Sequence, residues 1–264
     1  MKRALLSSVA LASALVMSSC SATASTAGAP DEEAAAVACP ELHTTSTDES
    51  PAPQHEDAHY NVLIELTSNA PENQDQILAR VQPFIECAVD SGAYLEVTLD
   101  GGEGTPLVTP DGLDGTDLLT IKRVNPTRER KDKDEKISEL VQSLREAISS
   151  AQIGRYGSVQ RLLNYAFTLA SDTAPGDSSF FIVWSPLLGT SSDGTDCLDV
   201  STVDPSESNA AAVVQRCLDQ GFIRPVPNAG VEIDGAATGS HDREQQRFAD
   251  YLKKQLLLSV FGVK

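Results

Sequence analysis

Short continuous apolar runs along the chain alternate with longer stretches whose apolar positions recur every three or four residues. The first run, Tyr60–Leu66, ends in the small polar residues Thr67-Ser68-Asn69. Such a run predicts a strand buried on both faces of an open sheet. A helical pattern follows, with Pro71 just inside its start and Ile77, Leu78, Val81, Phe84, Ile85, Ala88 and Val89 on one face. Pro83 lies within that pattern and is expected to kink or split the helix. Ala93–Leu99 is a second strand, Asp100–Thr116 a loop rich in Gly, Asp and Pro, and Asp117–Val124 a short third strand. Two amphipathic helices then follow each other. One opens on the charged stretch Arg128–Lys136 and carries Ile137, Leu140, Val141, Leu144 and Ile148. After a break at Gly154–Gly157, the other carries Val159, Leu162, Leu163, Ala166, Phe167 and Ala170. Ser179–Trp184 is a fourth strand, Leu187–Asp204 a long loop, Ser208–Asp219 a helix and Ala229–Ile233 a fifth strand. The glycine-rich loop Asp234–Ser240 and a last helix from about Asp242 to Ser259 complete the pattern. Strands alternating with helices predict an α/β domain: a three-layer, doubly wound, mostly parallel sheet with helices on both faces. In such sheets ligands lie beyond the carboxyl ends of the strands.

The order strand, helix, two strands, two helices, then strand–helix–strand–helix resembles the von Willebrand factor A-like fold, of Rossmann type, from Tyr60 to the end of the chain. That family holds a divalent cation on three loops at the strand tips. Its first loop reads Asp-x-Ser-x-Ser, its second supplies a Thr between the consecutive helices, and its third supplies an Asp after the fourth strand. Here the matching positions are Glu65, Thr67 and Asn69, then Ser158 after Gly157, then Ser185-Pro186, where Pro186 replaces the Asp. Mg²⁺ prefers carboxylates and other oxygens in near-octahedral array. Glu65, Thr67, Asn69, Ser158 and Ser185 therefore imply a degenerate site, at most a weak one for Mg²⁺ or Ca²⁺, and no confident cofactor. The resemblance implies a strand-tip contact face: Glu65–Asn69, Asp100–Thr105, Gly157-Ser158, Ser185–Asp196 and Asp234–Ser240.

The start of the chain changes where this domain is expected to work. Met1-Lys2-Arg3 is basic, Ala4–Met17 is apolar, and Ser18-Ser19-Cys20 ends the segment with small residues before a cysteine. This is the three-part pattern of a secretory signal, and it resembles a bacterial lipoprotein signal, which implies lipidation of Cys20. Residues 1–19 are then signal peptide, residues 20–58 the lipidated cysteine, tether and an extended lead-in, and residues 59–264 one domain. Lys2 and Arg3 leave with the signal, so the remaining chain carries 18 basic against 38 acidic residues, a net charge of −20. That balance argues against sequence-independent binding of nucleic acid or of anionic headgroups. Apart from Cys20, four cysteines remain: Cys39, Cys87, Cys197 and Cys217. In an exported chain they imply disulfides with three possible connectivities. Cys39–Cys87 with Cys197–Cys217 is preferred, because each pair joins neighbours in the map of elements.

Three strings have a chemical and a structural explanation. His55-Glu56-Asp57-Ala58-His59 spells H-E-x-x-H, which binds zinc only on a helix. Pro51 and Pro53 precede it and a strand is expected from Tyr60, so it reads as a chance match. Asp111–Asp117 holds three Asp and two Gly, but lacks the spacing and closing Glu of an EF-hand, and reads as a solvated turn. The basic residues of Arg128–Lys136 are interleaved with Glu129, Asp132, Asp134 and Glu135, the pattern of a solvated helix start with i,i+4 pairs. There is no P-loop and no G-x-S-x-G elbow. The expected function is non-enzymatic: an exported lipoprotein, held to the membrane by its lipid, whose domain binds a protein partner in the envelope or acts as a scaffold there. An envelope hydrolase or a substrate-capturing lipoprotein is the alternative.

Overall fold

The computed structural model describes residues 58–66, 70–115, 121–154, 159–173, 178–189, 196–200, 203–226 and 229–263, all within one compact unit. Strands β1 (Ala58–Glu65), β2 (Tyr94–Asp100), β3 (Leu107–Val108), β4 (Ser178–Trp184) and β5 (Ala229–Asp234) form one sheet in the order β3-β2-β1-β4-β5. Every pairing is parallel except that of β2 with β3. β1 is central, and the Tyr60–Leu66 run shows why. Tyr60, Val62 and Ile64 enter the core beneath α1 (Ala70–Ser91) and α2 (Pro126–Ser150). Leu63 enters the opposite core, beneath α3 (Val159–Asp172), α4 (Glu207–Asp219) and α5 (Arg243–Ser259). A strand covered on both sides has no solvent face on which to alternate, so its sequence is nearly continuous in apolar residues. The architecture is α/β with a mostly parallel five-strand sheet and helices on both faces.

Several boundaries differ from expectation. β1 begins at Ala58, not Tyr60, so Ala58 and His59 are extended, with the His59 ring stacked on Tyr94 at 4.6 Å. The helical geometry that H-E-x-x-H requires is therefore absent where its second histidine stands. His55 and Glu56 lie outside the described residues. α1 is not split at Pro83 but runs unbroken to Ser91. Proline costs a helix one hydrogen bond, and the apolar face from Ile77 to Val89, almost fully buried, offsets that loss. The third strand is not Asp117–Val124. Residues 121–124 form no strand, and 117–120 lie outside the described residues. The antiparallel neighbour of β2 comes instead from the Gly/Asp/Pro loop: Leu107–Val108 pairs with Leu99 and Asp100, and Val97 N–H donates to the Leu113 carbonyl at 2.8 Å. Asp114 makes a single bridge to Glu96. Asp111–Asp114 thus lies along a sheet edge and buries Leu113.

α2 starts at Pro126, earlier than the apolar pattern suggests. Asn125 caps it by accepting from Arg128 N–H, and Pro126 takes the first turn, where its missing N–H costs nothing. The basic cluster behaves as a solvated helix start: Arg130–Asp134, Lys131–Glu135 and Glu129–Lys133 pair along the helix, and Lys133 also reaches Asp90 of α1. Cys197 and Cys217 form a disulfide with Cα atoms 5.4 Å apart, tying the β4–α4 loop to α4. Cys87 is buried and disulfide-bonded, and the Tyr60 hydroxyl lies 3.4 Å from its sulfur. Cys39, its expected partner, and Cys20 lie outside the described residues. Among the described residues no helix is long and apolar enough to cross a membrane.

Candidate functional site at the strand tips

The carboxyl ends of β1, β2 and β4 bring together residues far apart in sequence. Glu65 ends β1 and Asp100 ends β2, in register with each other. In a parallel ladder such partners face the same way, here toward α3 and away from α1. Ser185 follows β4 directly, and its hydroxyl donates to the Glu65 carboxylate across 120 residues of sequence. The same hydroxyl oxygen accepts from Leu187 N–H at 3.0 Å, holding Leu187 at φ 57°. That left-handed conformation costs a residue with a Cβ about 1–2 kcal/mol, so the hydrogen bond steadies an otherwise unfavourable turn. Of the five residues expected at a degenerate metal site, the structure thus unites Glu65 and Ser185. Thr67, Asn69 and Ser158 lie outside the described residues. Pro186 occupies the place of the missing Asp, and its carbonyl accepts from Ala237 N–H at 2.8 Å, joining the loops after β4 and β5.

Asp100, which opens the expected contact stretch Asp100–Thr105, and Arg161, absent from the sequence reading, organise the tip. Asp100 is fully buried. Its Oδ1 accepts from Gly102 N–H at 2.8 Å and pairs with the Arg161 guanidinium at 3.0 Å. Its Oδ2 is buried with no hydrogen-bond partner among the described residues. Arg161, on the first turn of α3, also donates to the carbonyls of Gly102 at 2.8 Å and Thr105 at 3.0 Å. One planar cation thereby fixes a buried carboxylate and the loop beyond it, a geometry suited to the forked donors of arginine. The signal was present in the sequence. β2 reads Tyr94-Leu95-Glu96-Val97-Thr98-Leu99-Asp100, a strict polar–apolar alternation in a strand that is covered on both faces. Its polar face must therefore find partners in the helix above it. Arg161 serves Asp100, while Tyr165 donates to Glu96 at 2.6 Å and Tyr94 donates to the other Glu96 oxygen at 2.7 Å. Burial, and then the Glu96 carboxylate it bonds, push the Tyr165 hydroxyl up to about 12.

Burial dominates the electrostatics of Glu65. It raises the carboxyl pKa to about 7, the Ser185 hydrogen bond opposes that shift, and the negative charges of Asp100 and Asp196 add to it. Asp100 is also raised, by burial, against the pull of Gly102 N–H and Arg161. Asp196 closes this side of the tip. Its Oδ1 accepts from Leu198 N–H at 2.8 Å, and the same short segment is held by Gln160 through Cys197 N–H and by Arg216 through the Cys197 carbonyl.

No family model, curated protein or solved structure matches this chain. What the tip can hold is therefore decided by its own donor set. A hard divalent cation needs several oxygens with free lone pairs in one shell. Glu65 and Ser185 are bonded to each other, Asp100 Oδ1 is bonded to a guanidinium while its Oδ2 is unpartnered among the described residues, and the Pro186 carbonyl accepts from Ala237. No group of three or more His, Cys, Asp or Glu among the described residues is placed to hold a metal.

Proposed function

We propose that this chain is an exported lipoprotein, anchored through Cys20, whose von Willebrand factor A-like domain binds a protein partner in the envelope through its strand-tip face and performs no catalysis. The element order supports the family likeness: one strand and helix, two strands, two helices, then strand–helix–strand–helix, as in the sequence reading. The antiparallel β3 and the tandem α2 and α3 are its distinctive parts. The observation that carries the functional reading is the Arg161 clamp. A fixed guanidinium sits on the buried acid of β2, and the acid of β1 is tied to Ser185, so the tip's polar groups hold loops in place. The result is a face whose loops are braced from within by hydrogen-bonded polar groups. Glu65-Leu66, Asp100–Thr105, Ser185–Gly189, Asp196 and Asp234–Ser240 are its described parts. The loops after β4 and β5 are joined through Ser185 N–H to the Asp234 carbonyl at 2.9 Å.

A photocrosslinking experiment on the full chain in a bacterial envelope tests this reading. A photoreactive residue is placed at Glu103 or Ala236 on the tips, or at exposed Glu135 on α2 as control. The reading requires one discrete protein adduct from the tip positions and none from the control. It also requires that Cys20→Ser move the chain from the membrane fraction to the soluble one. Equal crosslinking from all positions would remove the tip as the contact face. Membrane retention of Cys20→Ser would remove the lipid anchor.

A further inference from the structure

A second feature lies on the other side of the β2–β3 loop from Arg161. A cleft of about 480 Å³ opens between that loop and the C-terminal half of α2, within the size range of small-molecule sites. Leu66 and Leu99 form its floor, and the exposed Val108 stands at its mouth. Pro106 and Pro110 form one wall, and Ala147 and Ala151 the other. The walls are pinned at both ends. At one end Gly154 N–H donates to the Gly101 carbonyl at 2.6 Å, and a Cβ on Gly101 would stand 2.0 Å from the Gln152 carbonyl oxygen. Only glycine permits that approach. At the other end the Ser143 hydroxyl donates to the Asp111 carbonyl at 2.9 Å. The Arg161 bonds to Gly102 and Thr105 brace the loop from behind. The cleft is therefore formed before any ligand arrives.

Its charge has one sign. Asp111 and Glu146 line it, one Glu146 oxygen accepting from the Gln142 amide at 2.7 Å, and among the described residues no Lys, Arg or His lines it. α2 ends at this end of the cleft, with Ala151 already extended and no basic residue in the last turn. The carbonyl end of a helix carries partial negative charge; here the Ser150 hydroxyl donates to the Glu146 carbonyl at 2.8 Å, but no cation of the last turn offsets the charge. Three described cations on the neighbouring helices are directed to other acids: Lys136 to Glu139, Arg145 to Asp75, and Arg161 to Asp100. We propose that this cleft binds a small organic cation, a primary amine on a short apolar body. The body lies on Leu66, Leu99 and Val108, and the ammonium group lies toward Glu146, Asp111 and the carbonyls at the end of α2. The cleft shares Leu66, Gly101 and Thr105 with the strand-tip face, but its amine is read by the acids of the α2 side.

The test titrates the purified chain with three probes of the same shape: phenethylamine, 2-phenylethanol and 3-phenylpropanoate. Amide chemical-shift changes report location, and calorimetry reports affinity. Saturable binding of the amine is expected, with shifts at Val108, Ala147 and Ala151. The alcohol should bind about tenfold more weakly, since charge-assisted hydrogen bonds are roughly twice as strong as neutral ones, and the carboxylate should not bind. Glu146→Gln, at an exposed helix position, should bring the amine close to the alcohol while leaving the fold intact. Ala147→Trp should fill the cleft and abolish binding of both. Absence of saturable amine binding at millimolar concentration, equal affinity for amine and alcohol, or shifts confined to another face would each overturn the assignment. The strand-tip reading would be untouched by any of these outcomes, because its own readout is the protein crosslink.

Discussion

Replacing Glu65 by glutamine removes a carboxyl group that burial keeps protonated well into the neutral range, and it leaves an oxygen to accept from Ser185. In the folded protein this carboxyl has a pKa of about 7, against about 4.3 for an unfolded glutamate. The folded state therefore binds the proton more tightly. Between those two values it holds more protons than the unfolded state, so stability falls as pH rises through the window and stays low above it. Applied from pH 5 to pH 8, the two titrations differ by about 2–3 kcal/mol. The wild type should lose that much more stability over this interval than Glu65→Gln does. The variant should equal or trail the wild type at pH 5 and exceed it at pH 8. Urea unfolding of both proteins at several pH values, followed by circular dichroism, gives the difference directly and cancels carboxylates common to both. If the two stability curves run parallel from pH 5 to pH 8, Glu65 is not held in an apolar, acid-crowded pocket, and the account of the tip fails with it.

Arg161→Met should cost about 3 kcal/mol at neutral pH, because breaking such a pair leaves a buried charge uncompensated. Adding Asp100→Asn should recover much of that loss, as the denaturant midpoints of the single and double variants would show. Gly101→Ala drives a Cβ against the Gln152 carbonyl oxygen at 2.0 Å. Overpacking of this kind costs about 1–3 kcal/mol, read as a lowered Tm, and an unchanged Tm would mean that the loop is not seated on the exit of α2. Replacing Cys197 and Cys217 by serine opens a link across 20 residues, with an expected loss of about 3 kcal/mol, measurable by thermal unfolding of oxidised and substituted chains. Millimolar Mg²⁺ should leave Tm unmoved, since only an ion that binds the native state raises it.

Most of the fold could be read wherever burial acts on a whole element. β1, β4 and β5 announce themselves because strands covered on both faces have few polar positions to spare, and α3 and α5 because one stripe of each is apolar. What the apolar pattern misses is structure made by backbone pairing in a polar loop. Leu107–Val108 and Leu113-Asp114 line the edge of β2 through carbonyl and amide groups that every residue carries, so no side-chain pattern marks them. Pro83 misleads for the opposite reason: the local rule is real, but the packing of α1 outweighs it. At the strand tips, Glu65 and Ser185 are located by the resemblance of their loops to those of the A-type family. Arg161 could not be paired with Asp100, because the alternation in β2 demands a partner without saying which helix supplies it.

The pairing of Glu65 with Ser185 has a consequence for how the molecule comes into being. β1 joins β2 early, through local chain, but its other edge waits for β4, whose residues are made 120 positions later. Contacts of such long range slow folding. A chain emerging N-terminus first would carry Leu63 and an open β1 edge uncovered through most of its synthesis, and open edges of this kind template association between chains. Residues 178–184 close that edge of β1 and pass the open edge to β4 until Ala229–Asp234 pairs with it, so truncations just before residue 178 should aggregate where those ending after α5 remain dispersed.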